Sequence, residues 1–142
     1  MFQIRTLAAV AVIGLVTTLA VSYAQTRGEK ERFVAVAIVN NNLTSGAGTV
    51  QVSSGLTTVE GSWNVAGTTL FTGGTFRVNS TATCATYTQT GGSLEGSGTL
   101  TVSGALNWSG GDMGGAGQTI ANGTLVVTGN FQFLHSGRTL VN

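Results

Sequence analysis

After residue 33 no stretch of the chain repeats its apolar positions with a helical period. Short runs alternate apolar with polar side chains instead, and Gly, Ser and Asn separate the runs. Alternation with period two marks a strand with one buried face. The clearest run reads Gly-Thr-apolar-x-Val. It occurs at Gly48–Val52, Gly74–Val78, Gly98–Val102 and Gly123–Val127. The starts are nearly evenly spaced, at about 25 residues, a period typical of repeat architectures. Thr and Val suit a pleated, half-buried surface. The leading Gly gives the backbone freedom to turn into the strand.

The alternation continues past each motif. Four and six positions beyond its last Val stand Leu56 and Thr58, Ala82 and Cys84, Leu106 and Trp108, and Phe131 and Phe133. A second strand in each repeat accounts for them, joined to the first by a corner such as Ser103-Gly104 or Thr128-Gly129. Further corners fall at Thr72-Gly73-Gly74, Thr90-Gly91-Gly92 and Ser109-Gly110-Gly111. A unit of this size cannot bury its own apolar face and must stack on its neighbours. The predicted fold is all-β: a parallel β-solenoid, or right-handed β-helix, of about four to five coils over residues 33–142. One coil per motif would put Val52, Val78, Val102 and Val127 in one interior column, with the last coil incomplete. An antiparallel sandwich or barrel is the alternative that strand and turn spacing also allows. The absence of Pro fits a solenoid, because every coil needs its N–H groups for the ladders on either side.

Upstream the pattern changes. Arg5 precedes an apolar run, Leu7–Val21, and then Ser22-Tyr23-Ala24. This is the layout of a secretory signal peptide over residues 1–24, cut between Ala24 and Gln25. An uncleaved anchor is the other reading, but a span needs roughly 20 apolar residues, more than this run holds. Residues 25–32 hold five of the eleven charges and read as a solvated linker.

Composition sharpens this picture. The chain has 142 residues, 22 of them Gly, and a net charge of +1. A nucleic-acid binder needs a basic patch to neutralise phosphates, so that class is excluded. Beyond residue 32 the only charges are Glu60, Arg77, Glu95, Asp112 and Arg138. The surface must be dressed in neutral polar groups.

The stretch Gly98-Thr99-Leu100-Thr101-Val102-Ser103-Gly104-Ala105-Leu106-Asn107-Trp108-Ser109-Gly110-Gly111, followed by Gly123-Thr124-Leu125, resembles the autotransporter-associated β-strand repeat. That repeat belongs to bacterial passenger domains and to large surface proteins of the filamentous-haemagglutinin kind. The resemblance is best over residues 96–129. It implies a right-handed β-helix stalk displayed outside the cell, bearing adhesive or enzymatic modules. The sequence stops at Leu140-Val141-Asn142, part-way through a fourth copy and without a membrane barrel. The expectation is a fragment of a longer passenger, or a small secreted protein made of the same unit.

Few residues are available for chemistry. Cys84 is the only cysteine, which excludes an intrachain disulfide, and its register makes it a buried apolar residue. His135 is the only histidine. Ser136 adjoins it, but neighbours on a strand point to opposite faces, so a surface or corner histidine is expected. Glu95 and Asp112 each follow a Gly-Gly corner and could lie together on adjacent coils. They form the best carboxylate pair for a polysaccharide-cleaving solenoid. Thr81-Ala82-Thr83 and Thr86-Tyr87-Thr88-Gln89-Thr90 carry alternate hydroxyls, an arrangement that ice-binding solenoids resemble, but Thr-x-Thr does not recur at the same place in each coil, so no regular array is expected. Trp63, Trp108 and Tyr87 could stack on sugars if exposed, and Trp108 is expected in the core. No catalytic, cofactor-binding or metal-binding residue is assigned. The function expected from the sequence is a secreted or surface-exposed structural or adhesive module without enzymatic activity. Its expected partners are a polysaccharide or host surface and further copies of itself, through the open solenoid ends. Contact with a membrane is expected only through the signal peptide. A carbohydrate-active enzyme and an ice-binding solenoid are the alternatives.

Overall fold

A computed structural model describes the backbone of residues 31–32, 37–39 and 43–142, and side chains from residue 46 onward. The signal peptide and most of the linker lie outside the described residues. Thirteen strands follow one another without a helix among the described residues. They are β1 (Glu31–Arg32), β2 (Ala37–Val39), β3 (Leu43–Ser45), β4 (Thr49–Val52), β5 (Leu56–Val59), β6 (Ser62–Phe71) and β7 (Thr75–Val78). Next come two long strands, β8 (Thr81–Glu95) and β9 (Thr99–Met113). The last four are β10 (Gln118–Ala121), β11 (Thr124–Val127), β12 (Gln132–Leu134) and β13 (Thr139–Val141). Every pairing is parallel. The chain is a parallel β-solenoid of about five turns.

Each coil has three faces. The first face stacks β1, β4, the second half of β6, the middle of β8 and β9, and β11. The second stacks β2, β5, β7, the ends of β8 and β9, and β12. The third stacks β3, the starts of β6, β8 and β9, then β10 and β13. Glu31 and Arg32, read from sequence as the end of the linker, already pair with Val50 and Gln51.

The coil is shorter than the motif spacing. Arg77 stands beside Glu95, 18 residues further along the chain. Thr88 stands beside Asn107, 19 residues further along. The motif recurs about every 25 residues, which is one coil plus one face. Successive copies therefore precess. Gly48–Val52 lies on the first face, Gly74–Val78 on the second, Gly98–Val102 on the third, and Gly123–Val127 on the first again. The expected single column of four valines does not form. Val52 and Val127 share a column with Phe71, Gln89 and Trp108. Val78 stacks on Val59, and Val102 on Cys84 and Ala121.

The strands follow from the alternation. Inward positions in β4, β7, β8 and β9 are buried, and the residues between them are partly exposed. The core runs the length of the stack through Val50, Phe71, Phe76, Leu94, Leu100, Leu106 and Met113. Trp63 packs edge-on against Phe76 with ring centroids 5.0 Å apart. One corner is set by a glycine column, Gly74, Gly92 and Gly111, with φ of 81°, 77° and 76°. A Cβ on Gly111 would run into the Gly92 carbonyl in the coil below. Both the left-handed backbone and the close approach require Gly there.

Phe131 and Phe133, expected to continue the buried register, are exposed. Phe133 is the register partner of the outward-facing Asp112, and the inward place beside Met113 belongs to Leu134; Phe131 precedes β12 at a corner.

Candidate functional site

Three of the five charged side chains beyond residue 32, Arg77, Glu95 and Asp112, gather along the outside of the second face. Alternation turns Leu94 and Met113 inward and leaves Arg77, Ser93, Glu95 and Asp112 on the outer surface. Register then brings them together. Arg77 is the cross-coil neighbour of Glu95, and Ser93 that of Asp112. Arg77 Nη2 donates to Glu95 Oε2 at 3.0 Å. The Ser93 hydroxyl sits between two carboxylates, 2.8 Å from Asp112 Oδ2 and 3.4 Å from Glu95 Oε1. The expected proximity of Glu95 and Asp112 on adjacent coils is therefore met, through a serine that sequence reasoning passed over.

His135 extends the row by one coil. Its Nε2 lies 2.8 Å from Asp112 Oδ2, and its Nδ1 lies 2.8 Å from Ser136 Oγ. The expectation that His135 and Ser136 point apart is overturned. Neither residue is in a strand, so strand alternation does not apply. Ser136 has φ of +56°, which turns its hydroxyl back onto the neighbouring ring. With Nε2–H donating to Asp112, Nδ1 is left to accept from Ser136 O–H. This is the order of an acid, a base and a hydroxyl, held at the surface.

The electrostatics follow the contacts. Desolvation pushes the Asp112 carboxyl up, but hydrogen bonds from His135 and Ser93 and the charge of His135 outweigh it, and the net shift is downward. Among the described residues no group of three His, Cys, Asp or Glu side chains is placed to hold a metal ion.

The other candidates are interior. Cys84 is buried as expected, and burial pushes its thiol up to about 11 against hydrogen bonds from Thr69. Trp108 is in the core as expected. Trp63 and Tyr87 are also buried, so neither can stack on a sugar. Trp63 Nε1 donates to Thr69 Oγ1 at 3.1 Å, and the Tyr87 hydroxyl donates to Gln89 Oε1 at 3.1 Å. Sequence reasoning missed Gln89 and Arg138 as interior polar residues. Gln89 Nε2 donates to the carbonyls of Asp112 and Gly92 at 3.0 and 3.3 Å. Arg138 is buried and donates to Thr119 Oγ1 and the Gly114 and Gln118 carbonyls. No described buried side-chain nitrogen or oxygen lacks a partner.

As expected, Thr-x-Thr does not recur in each coil, and no regular array forms. On the third face Thr81 and Thr83 stand in register beside Thr99 and Thr101, a match confined to two coils. The flanking coils carry Ser62 and Asn64 on one side and Gln118 and Ile120 on the other. An alignment on the motif hides this pair, because the coil is shorter than the motif spacing.

Compared with protein-family models, curated proteins and solved structures, the chain matches none.

Proposed function

We propose that this chain is a structural and adhesive module, exported by a bacterium and presented outside the cell. On this reading it is a passenger-type stalk segment of the autotransporter-associated kind, and its surfaces engage a polysaccharide or host surface. The observation that carries the reading is the use made of its polar side chains. Arg77 with Glu95, Ser93 with Asp112, Asn79 with Glu60, Thr83 with Asn64 and Asn107 with Thr88 all bond from one coil to the next. Side chains spent on holding coils together describe a stalk. The outer surface around these contacts is dressed in Thr, Ser, Asn and Gln and carries few charges.

A neutral surface binds a neutral ligand without counterion release, so its affinity should barely depend on salt. Expressed in a bacterial host, the full chain is expected outside the inner membrane with its amino terminus at Gln25. Immobilised, it should retain neutral polysaccharides equally at low and high ionic strength. Retention in the cytosol with residues 1–24 attached, or failure to hold any polysaccharide or host-matrix component, contradicts the proposal.

One observation favours a hydrolytic reading instead: the carboxylates of Glu95 and Asp112 share Ser93, and Asp112 orients His135 toward Ser136. That reading requires a polysaccharide-cleaving or esterase activity that Asp112→Asn abolishes. Absence of activity in the unaltered chain removes it.

A further inference from the structure

We infer that Phe133, Asp112, His135 and Ser136 form a subsite for a neutral pyranose on the outside of the second face. The phenyl ring stacks on the sugar and the polar side chains bond its hydroxyls. The inference rests on the polysaccharide-binding reading and gives that reading a place on the molecule.

Register builds the patch. Phe133 stands beside Asp112 of the neighbouring coil, and Asp112 faces outward because Met113 faces in. The phenyl ring is 62% exposed. Trp63, Phe71, Phe76, Tyr87 and Trp108 are all interior. Among the described residues an outward aromatic ring in register with a carboxylate therefore occurs only here. The His135 imidazole sits over Gly114, where a Cβ would run into its Cε1. The missing side chain lets the ring reach Asp112 Oδ2 at 2.8 Å, beside Phe133. Ser136 Oγ holds the other ring nitrogen. Coils stacked on either side of this one lie beside the patch and not over it.

The mix of groups selects the ligand. The face of a phenyl ring carries partial negative charge, which suits the C–H face of a pyranose. The hydroxyl rim of the sugar needs polar partners. The side chains of Asp112 and His135 are 34% and 45% exposed, so a ligand can reach both. Ser93 and His135 both bond to Asp112 Oδ2. A carboxylate offers about four acceptor positions, so Asp112 can still accept from a sugar hydroxyl. The Ser136 oxygen donates its proton to His135 Nδ1 and keeps lone pairs for a second hydroxyl. A lipid or an apolar protein surface would strip water from the Asp112 carboxylate and return no hydrogen bond, which is a net cost. An anionic sugar would be repelled by Asp112 and by Glu95 one coil away. A neutral sugar meets neither penalty.

Retention of the full chain on insoluble cellulose, chitin, curdlan and mannan tests this, with the matching soluble oligosaccharides as probes in solution. Phe133→Tyr keeps a ring and should bind the retained polysaccharide like the unaltered chain. Phe133→Leu keeps apolar bulk without a ring and should bind it about tenfold more weakly. Both should keep the circular dichroism of the unaltered chain, because position 133 is exposed. A second readout needs no variant. His135 is the only histidine, so its carbethoxylation by diethylpyrocarbonate reports on the patch. The oligosaccharide should slow that reaction in the unaltered chain and in Phe133→Tyr, and leave it unchanged in Phe133→Leu. If a polysaccharide is retained, but equally by Phe133→Leu and without protection of His135, the adhesive reading stands and the subsite is overturned. If no polysaccharide is retained, the subsite falls together with the polysaccharide-binding reading. Binding to phosphatidylcholine vesicles that depends on Phe133, in place of any polysaccharide, makes the patch a lipid contact and overturns the inference.

Discussion

Cys84 and Asp112 respond in opposite ways to their surroundings. Burial holds the Cys84 thiol at about 11, so in mildly alkaline buffer almost no thiolate is present and no reagent can reach the sulfur. Native protein should leave Cys84 unmodified by iodoacetamide, and denaturant should make it react fully. Rapid labelling of the folded chain would contradict its place in the core. Asp112 has its carboxyl lowered in the fold. Its unfolded pKa lies near the ordinary aspartate value of about 3.9. A depressed folded value means that its stabilisation is present above that pH and is lost as pH falls through the folded value. Melting temperature should therefore drop below about pH 4, and the drop should be smaller in Asp112→Asn. Equal acid limbs in the two proteins would show that the contacts with His135 and Ser93 contribute nothing.

At the scale of the strand, period-two alternation is a local property, and the sequence carries it openly. The inward places of Val50, Val78, Val102, Cys84 and Trp108 all follow from it. The polar exceptions do not. Gln89 falls on the inward phase and is fully buried, because three partners from Tyr87, Gly92 and Asp112 meet it there. Two of these lie in its own strand, and Asp112 is one coil away. Its role is fixed by the stacking offset, which alternation does not encode. Gln89→Leu keeps the volume but leaves the Tyr87 hydroxyl and two carbonyls without this partner. With about 1–3 kcal/mol for each buried group left unsatisfied, the three groups together should make the loss at least about 3 kcal/mol. A thermal or denaturant melt measures it, and an unchanged midpoint would contradict the role assigned to Gln89. The Ser93, Asp112 and His135 row was hidden for the same reason. Each residue is ordinary in its own strand or loop, and only the offset joins them.

The offset itself is a property of the whole molecule. The most visible motif, Gly-Thr-apolar-x-Val, steps forward by one coil and one face, so its spacing overstates the coil. The Gly-Gly corners at Gly73-Gly74, Gly91-Gly92 and Gly110-Gly111 recur at the offset of the coil itself and do carry its length. They differ from the motif because a corner glycine must stack on a corner glycine, whereas a strand motif serves equally well on any of three similar faces. Removing one coil should therefore preserve the fold. Deleting Tyr87–Ala105 joins Thr86 to Leu106, which is the residue beside Tyr87 in the next coil. That shortened chain should keep its β-sheet circular dichroism and melt cooperatively. Deleting Tyr87–Gly111 instead joins a first-face strand to Asp112 on the second face, and should lower the midpoint or prevent folding. The reverse order of stability would support a coil of about 25 residues.

A cross-coil disulfide measures the coil length directly. Thr88 and Asn107 are register partners, with Asn107 Nδ2 3.4 Å from Thr88 Oγ1 on the outer surface. In a coil of the motif's length Thr88 would instead stand beside Met113, which is buried on a different face. Thr88→Cys with Asn107→Cys should oxidise within one chain to near completion without loss of folded signal, read as a two-hydrogen mass decrease. Thr88→Cys with Met113→Cys should not. Oxidation of the second pair and not the first would contradict the three-faced solenoid.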